Sequence, residues 1–158
     1  CAAGFEHYEV SNCALWGKAS RHNSSYWTGA AYAGIGPSAH SFDGATRRWN
    51  VSAYSAWIRC LASGRSTMAG EEFLTDENRD AEQVYLGLRT RDGLQIDEAE
   101  LDSVGRWVDA GWAELEGRQL RLTPTGWLRL DSLAADLAAR RARKPHVALS
   151  ATPSHCYI

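Results

Sequence analysis

The second half of the chain carries a regular series of helix start signals, and these restrict the fold more than any other feature of the sequence. Thr75 is typical of a residue that caps a helix N-terminus, and Asp97 with Glu100 has the spacing of a capping box. Thr123-Pro124 indicates a further start, because proline is favoured at the first helical position. Behind each start, apolar residues recur at helical spacing: Ala81, Val84, Tyr85 and Leu88; Leu101, Val104, Trp107 and Val108, as far as Gly111; and Trp127, Leu128, Leu130, Leu133, Ala134 and Leu137.

An earlier helix and a β-hairpin complete this series. Ser52 is predicted to open a helix that ends at Gly64 and has one apolar face, made by Tyr54, Trp57, Ile58 and Leu61. Residues 112–115 and 119–122 are predicted to be two strands joined by the turn Glu116-Gly117-Arg118. Helix, helix, helix, hairpin and helix is the order of a winged helix-turn-helix, so a domain of this type is predicted.

Charges on the predicted winged domain nearly cancel. The exposed positions of the helix before the hairpin, and the hairpin itself, carry both signs: Asp102, Arg106 and Asp109, then Glu114 and Glu116 against Arg118 and Arg121. DNA affinity needs several net cations on one face, because the release of counterions dominates non-specific binding. A structural or docking module is therefore favoured, and a winged-helix DNA-binding module stays as an alternative.

The first 70 residues combine strand signals with a long segment that has no period. Residues 5–10 and 46–51 predict strands, because β-branched and aromatic residues are frequent in both. Residues 11–24 are predicted to form an irregular loop, and residues 68–72 a linker. Glu6, His7 and Glu9 need polar partners if their strand is buried, a requirement that the polar mouth of a barrel meets better than its centre.

Composition narrows the functional classes. The 158 residues carry a formal net charge of -2 with a pI near 6.2, which gives no general attraction to nucleic acid or acidic lipid. No apolar run is long enough to cross a bilayer and no signal-peptide pattern is present, so a cytoplasmic location is expected. Cys1, Cys13, Cys60 and Cys156 lack the spacing of a zinc or cluster site and are expected to be reduced thiols. A start at Cys1 without methionine is interpreted as the start of a fragment.

The stretch His22-Asn23-Ser24-Ser25-Tyr26-Trp27 is the best candidate for a binding motif. An imidazole can ligate a metal, and two neighbouring aromatic rings can cover a planar ligand. Taken alone, such a cluster is more often a loop packed on a core. Shortly after it, Gly34 and Gly36 lack the Cβ atoms that would prevent close approach of the backbone to a neighbour or a ligand. The spacing of these glycines is a weak nucleotide signal, because no helix signal follows it.

Taken in order, several of these segments closely resemble the C-terminal half of the HemW family. These are radical-SAM proteins related to oxygen-independent coproporphyrinogen III oxidase. The resemblance rests on residues 3–12 (AGFEHYEVSN), 22–27 (HNSSYW), 34–41 (GIGPSAHS) and 47–51 (RRWNV), with further landmarks at 86–89 (LGLR), 92–94 (DGL) and 122–126 (LTPTG). It covers residues 2–140, and several separate motifs in one order make it specific.

The resemblance implies an α+β chain, in which the C-terminal piece of a partial (β/α) radical-SAM barrel is followed by a small winged-helix-like, α-rich domain. Residues 1–70 are assigned to the barrel piece with its HNxxYW loop, residues 71–144 to the winged domain, and residues 145–158 to a tail that is expected to be disordered. The family's [4Fe-4S] cluster and S-adenosylmethionine are expected only in the full-length parent, because the CxxxCxxC loop is missing from these residues. This chain alone is not expected to be catalytic, and an open half-barrel would expose strand edges.

The HNxxYW motif is the part of the family pattern that is linked to heme binding. The resemblance assigns heme binding to His22, Asn23, Tyr26 and Trp27, with His22 as the ligand of the heme iron and Asn23 orienting the loop. His7 or His40 remain alternative ligands.

The function implied by the resemblance is heme binding and transfer to apo-hemoproteins, with membrane respiratory enzymes among the candidate recipients. The alternative is a fragment of an oxygen-independent coproporphyrinogen III oxidase, an enzyme of porphyrin biosynthesis. No nucleic-acid partner is expected.

Overall fold

The computed structural model describes residues 3–143, which form a mixed chain of six α-helices and three small antiparallel sheets. The first sheet is a hairpin of β1 (Phe5–Glu9) and β2 (Asn12–Leu15). The predicted strand near residue 5 is thereby confirmed. The prediction of an irregular loop over residues 11–24 is wrong, because part of this segment pairs as β2 and its end is helical.

The HNxxYW motif lies on a helix rather than on a loop. This short helix, α1 (Arg21–Trp27), begins after Ser20, whose Oγ accepts a hydrogen bond from the Asn23 backbone N–H at 3.2 Å. Ser20 is therefore the N-cap that sequence reasoning missed. The Ser24 hydroxyl donates to the Ser20 carbonyl oxygen at 2.8 Å, and no residue of α1 is fully buried. The helix depends on its cap and on contacts of its side chains, because seven residues are too few for a stable isolated helix.

The second sheet follows α1 and has the strand order β3-β4-β5. Its strands are β3 (His40–Phe42), β4 (Thr46–Asn50) and β5 (Met68–Phe73), with α2 (Tyr54–Ala62) between β4 and β5. The predictions of β4 and α2 are confirmed. The prediction of a linker at residues 68–72 is wrong, because these residues pair with β4 in the register Trp49 to Gly70. A Cβ on Gly70 would overlap the Trp49 ring, so glycine permits this pairing.

Gly34 makes the close backbone approach that was predicted for it. A Cβ at this position would overlap the His40 carbonyl, and the Gly34 backbone N–H donates to Ser41 Oγ at 2.9 Å. The loop before β3 is thus held directly against that strand.

The second half follows the predicted order with two differences. Its elements are α3 (Asp76–Arg89), β6 (Leu94–Gln95), a 3-10 turn (Glu98–Glu100), α4 (Leu101–Asp109), β7 (Ala113–Glu116), β8 (Gln119–Leu122), α5 (Pro124–Trp127) and α6 (Leu130–Ala142). Strand β6 was missed, and it pairs with β8 to extend the hairpin to a sheet of order β6-β8-β7. The predicted last helix is divided into α5 and α6 at Leu128 and Arg129.

The hydrophobic core lies in the second half. Its buried residues come from α3 to α6 and include Val84, Leu88, Val104, Trp107, Leu120 and Leu137. The apolar face of α2 is solvent-exposed by contrast, with Tyr54 67% and Leu61 52% exposed. The prediction for residues 145–158 lies outside the described residues. Among residues 3–143, no helix is long and apolar enough to span a membrane.

Candidate functional site

Helix α1 places His22 and Tyr26 one turn apart on the same face. The His22 side chain is exposed, and its Nε2 lies 3.2 Å from the Tyr26 hydroxyl. The two rings meet edge to face, with 5.0 Å between their centroids. An imidazole in this position is accessible to a ligand, and the phenol next to it restrains the orientation of the ring.

Trp27 anchors α1 to α3. The Arg89 guanidinium lies 4.3 Å from the centroid of a Trp27 ring, within the range of a cation–π contact. Arg89 Nε in turn lies 3.0 Å from Oε2 of Glu9, whose side chain is fully buried. This last contact is between charges rather than an aligned hydrogen bond, because neither atom meets hydrogen-bond geometry. Trp27 is therefore partly a structural residue.

One polar atom of the motif is buried without a hydrogen-bond partner among residues 3–143. The Trp27 indole N–H is inaccessible to solvent and donates to no acceptor within residues 3–143. Asn23 is half-buried, and its backbone N–H donates to the cap residue Ser20. The role predicted for its carboxamide, to orient the motif, stays a prediction.

The two alternative histidines have different surroundings. His7 packs edge to face on Trp127, at 4.6 Å between centroids, and its Nε2 lies 3.2 Å from the Val10 carbonyl oxygen. This ring therefore helps to join the first hairpin to the helical half. His40 is exposed at the start of β3, with Trp49 as its ring neighbour at 6.0 Å. Of the alternatives, only His40 has an imidazole as accessible as that of His22.

An open cleft of about 590 Å³ lies between α1 and α3 beside β3 and β4. We call it the aromatic cleft; its lining includes Tyr26, Tyr32, Phe42, Tyr85, Arg47 and Glu82. Only Tyr26 and Trp27 of the sequence-predicted site line the cleft. Its other walls come from distant parts of the chain, and no local pattern in the sequence marks them.

Ion pairs order the polar side of this region. Arg47 donates to Glu82 at 2.8 Å, and this hydrogen bond raises the pKa of the Arg47 guanidinium. Asp43 accepts hydrogen bonds from the backbone N–H groups of Thr46 and Ala45 and from Arg48, and these lower its pKa to about 2. The carboxylate thereby fixes the turn between β3 and β4, which connects the cleft residues Phe42 and Arg47.

The described residues suit a metal ion that is already coordinated by a bound organic group and needs few ligands from the protein. Within residues 3–143, no group of three or more His, Cys, Asp or Glu side chains can hold a metal ion, and Cys13 and Cys60 are free thiols. Heme iron already has the equatorial nitrogens of the porphyrin, so one accessible imidazole can complete its binding. His22 beside aromatic rings meets this requirement, and Lys18 and Arg21 are exposed cations close to it in sequence.

Comparison with known proteins finds relatives in different bacteria that carry the same name. No protein-family model matches the sequence. The chain is 37% identical over 139 residues to "Heme chaperone HemW" of Mycobacterium tuberculosis, covering 86% of this chain and 36% of that protein. It is 36% identical over 93 residues to "Heme chaperone HemW" of Bacillus subtilis, covering 59% of this chain and 24% of that protein.

A mitochondrial relative and a solved structure extend the comparison. "Radical S-adenosyl methionine domain-containing protein 1, mitochondrial" of Bos taurus is 30% identical over 161 residues, covering 87% of this chain and 36% of that protein. The structure of coproporphyrinogen III oxidase (HemN) from Escherichia coli, a radical SAM enzyme, superposes with a TM-score of 0.62 over 88% of this chain and 38% of that one, at 12% identity. The chain thus matches between 24% and 38% of the length of these proteins.

Proposed function

Because the chain is homologous to the heme chaperones named HemW, we propose that it binds heme on α1 and that the protein passes this heme to apo-hemoproteins. The observation that carries the proposal is the exposed imidazole of His22, next to the Tyr26 phenol on one face of a capped helix. A ligand site on an exposed helix also suits transfer, because a recipient can reach the bound group without the donor unfolding.

His22 is the residue proposed to hold the iron. Heme supplies the metal and a planar apolar macrocycle, and the protein supplies the imidazole, the rings beside it and nearby cations. Tyr26 positions the imidazole, and its hydroxyl has to leave His22 Nε2 if that atom is the ligand. Lys18 and Arg21 are exposed and have no ion-pair partner within the described residues, so both are available to carboxylates of the ligand.

Trp27 and Asn23 complete the motif in supporting roles. Trp27 fixes α1 through Arg89, and Asn23 is proposed to orient the motif by its carboxamide. His40 is the second choice for the ligand because it is exposed, whereas His7 is already engaged in packing.

The proposal includes a division of the chain into two parts. Residues 1–70 are proposed to be a piece of a partial radical-SAM barrel, and residues 71–144 a winged-helix-like docking domain; the likeness to HemN supports both assignments. The [4Fe-4S] cluster and S-adenosylmethionine are proposed to bind residues of the longer protein outside this chain. A cytoplasmic location is proposed as well.

Ion pairs on the second half support docking over DNA binding. Arg118 lies 3.3 Å from Glu98, and Arg121 lies 2.9 Å from Glu116, so the cations of the hairpin are neutralised in place. DNA phosphates would have to displace these carboxylates, which lowers the gain from counterion release.

A transfer assay tests the proposed function. The heme-loaded protein is mixed with increasing amounts of the heme-free form of a membrane respiratory hemoprotein, and apomyoglobin serves as a passive scavenger. Transfer by contact predicts a rate that rises with recipient concentration and exceeds the rate to apomyoglobin, which dissociation limits. Equal and concentration-independent rates to both acceptors, or failure to bind heme, would contradict the proposal.

The likeness to HemN favours one second candidate, porphyrinogen decarboxylation by the longer protein. Turnover of coproporphyrinogen III with reduced cluster and S-adenosylmethionine would support this alternative. Heme binding without such turnover would exclude it.

A further inference from the structure

The aromatic cleft is a distinct feature from the exposed imidazole. It is bordered by rings from three separate segments: Tyr26 of α1, Tyr32 and Phe42 around β3, and Tyr85 of α3. All four side chains are half-buried, so each leaves ring surface accessible. A volume of about 590 Å³ is within the range of small-molecule sites, which are concave and mostly apolar with a few polar groups.

A continuous row of rings leads from His22 into this cleft. The Tyr26 ring contacts His22 at 5.0 Å between centroids on one side and Tyr32 at 4.8 Å on the other. Tyr32 in turn lies 6.2 Å from Phe42. Because each ring is tilted or perpendicular to the next, the row presents both edges and faces to a planar ligand, which is the arrangement that aromatic contacts favour.

Polar groups at the cleft suit a ligand with carboxylates. Arg47 lines the cleft and lies 5.8 Å from the Phe42 centroid, and its side chain remains 31% exposed beside Glu82. Partly exposed ion pairs are weak, so a ligand carboxylate can replace Glu82 as the partner of Arg47 at little cost.

We infer that the aromatic cleft seats the macrocycle of a tetrapyrrole, while His22 contributes only the metal bond. The inference rests on the proposed function and extends it. The cleft recognises the planar, carboxylate-bearing ring itself, so that it binds a porphyrin whether or not the porphyrin holds iron. The row of rings from His22 to Phe42 is the physical link between the two parts of the site.

The test compares heme with metal-free protoporphyrin IX in titrations of the full chain. Ala30 is exposed and lines the cleft, whereas its neighbour Ala31 is exposed and does not line it. Ala30→Trp should block the cleft and lower the affinity for both ligands by about tenfold, since each aromatic contact that the ligand loses is worth up to about a factor of ten. Ala31→Trp is the matched control and should stay within about twofold of wild type. Phe42→Leu removes a ring at similar volume and should also lower the affinity for both ligands. This second variant decides the test if Ala30→Trp fails to fold.

His22→Ala separates this inference from the proposed function. It should weaken heme binding and leave protoporphyrin IX binding unchanged, because the metal-free ring has no iron to ligate. Heme binding that depends on His22 but is unaffected by Ala30→Trp and Phe42→Leu would overturn the cleft and leave the proposed function standing. Cleft-dependent binding of both ligands that His22→Ala leaves unchanged would uphold the cleft and contradict the proposed binding of heme on α1.

Discussion

Asp43 shows how a single residue can fix the turn between two strands, here β3 and β4. Hydrogen bonds from the Thr46 backbone N–H, the Arg48 side chain and the Ala45 backbone N–H lower its pKa from 3.8 to about 2. A carboxyl group with a lowered pKa stabilises the fold fully above its unfolded value, and this contribution is lost as the pH falls toward the folded value.

We therefore expect the Asp43 carboxyl to titrate near pH 2, with the turn between β3 and β4 loosening between pH 4 and pH 2. Carbon-detected NMR of the carboxyl group measures this midpoint. Arg48→Gln should raise it, because the charged donor among the three hydrogen-bond partners is removed. A midpoint at or above 3.8 in the wild-type protein would contradict the geometry of this turn.

The contacts of a side chain could be predicted from the sequence where its partners are close to it along the chain. The requirement of Glu9 for a partner was foreseen, but its partner Arg89 lies far along the chain and cannot be identified from spacing. His22 and Tyr26 were recognised as a motif, and their contact follows from the i, i+4 geometry of a helix. Tyr32, Phe42 and Tyr85 were missed as site residues, because only the folded chain brings them together.

At the scale of elements, helix α6 is tied to the 3-10 turn by a buried ion pair. Arg141 Nε lies 2.9 Å from Glu100 Oε1, and the two side chains are 20% and 2% exposed. The neighbouring Arg140 pairs with Asp136 in the same helix, where both side chains are about two-fifths exposed. Two adjacent arginines thus make ion pairs of very different burial.

Arg141→Gln should lower the free energy of unfolding by about 3 kcal/mol, because it removes the charge of Arg141 from a buried ion pair with Glu100. Arg140→Gln should cost less than about 1 kcal/mol, as is usual for an exposed pair. Urea denaturation of both variants measures the difference. Equal losses would show that the burial of the Glu100 pair has no energetic consequence.

Substitution of two helical glycines by alanine is expected to change the stability in opposite directions. A Cβ on Gly126 of α5 would overlap the Trp112 carbonyl, whereas a Cβ on Gly105 of α4 would meet no atom within 4 Å. Gly126→Ala should therefore destabilise the protein by about 1 to 3 kcal/mol through overpacking. Gly105→Ala should stabilise it by up to about 1 kcal/mol, because alanine favours the helix. Thermal unfolding decides both signs; a loss of stability in Gly105→Ala or none in Gly126→Ala would contradict the packing described.

The elements that the sequence predicted correctly have their signals in local chemistry. Thr75 caps α3 through the Asn78 backbone N–H at 3.1 Å, and Asp97 with Glu100 forms the capping box. Strands β5 and β6 were missed because their identity depends on partners elsewhere in the chain. Helix α1 was missed because its seven residues are too short to show an apolar period, although Ser20 was a usable cap signal.

At the scale of the whole molecule, the two halves differ in how they bury apolar surface. The core is made by α3 to α6, while the first half leaves large apolar side chains exposed, among them Ile35 at 91% and Trp16 at 76%. Backbone hydrogen bonds join the halves, from Val10 N–H to the Arg89 carbonyl at 3.0 Å and from Arg91 N–H to the Tyr8 carbonyl at 3.1 Å. Helix α1 and the aromatic cleft lie beside this junction, because Trp27 contacts Arg89.

A heme titration followed by Soret absorbance tests most directly whether His22 is the ligand of the heme iron. Wild type, His22→Ala, His40→Ala and His7→Ala are titrated under identical conditions, with His40→Ala as the matched exposed histidine. We predict that His22→Ala alone loses the ligated Soret band and at least about tenfold in affinity, because the imidazole–iron bond is removed. Unchanged heme binding by His22→Ala, or its loss in His40→Ala or His7→Ala instead, would contradict the assignment of His22 as the ligand.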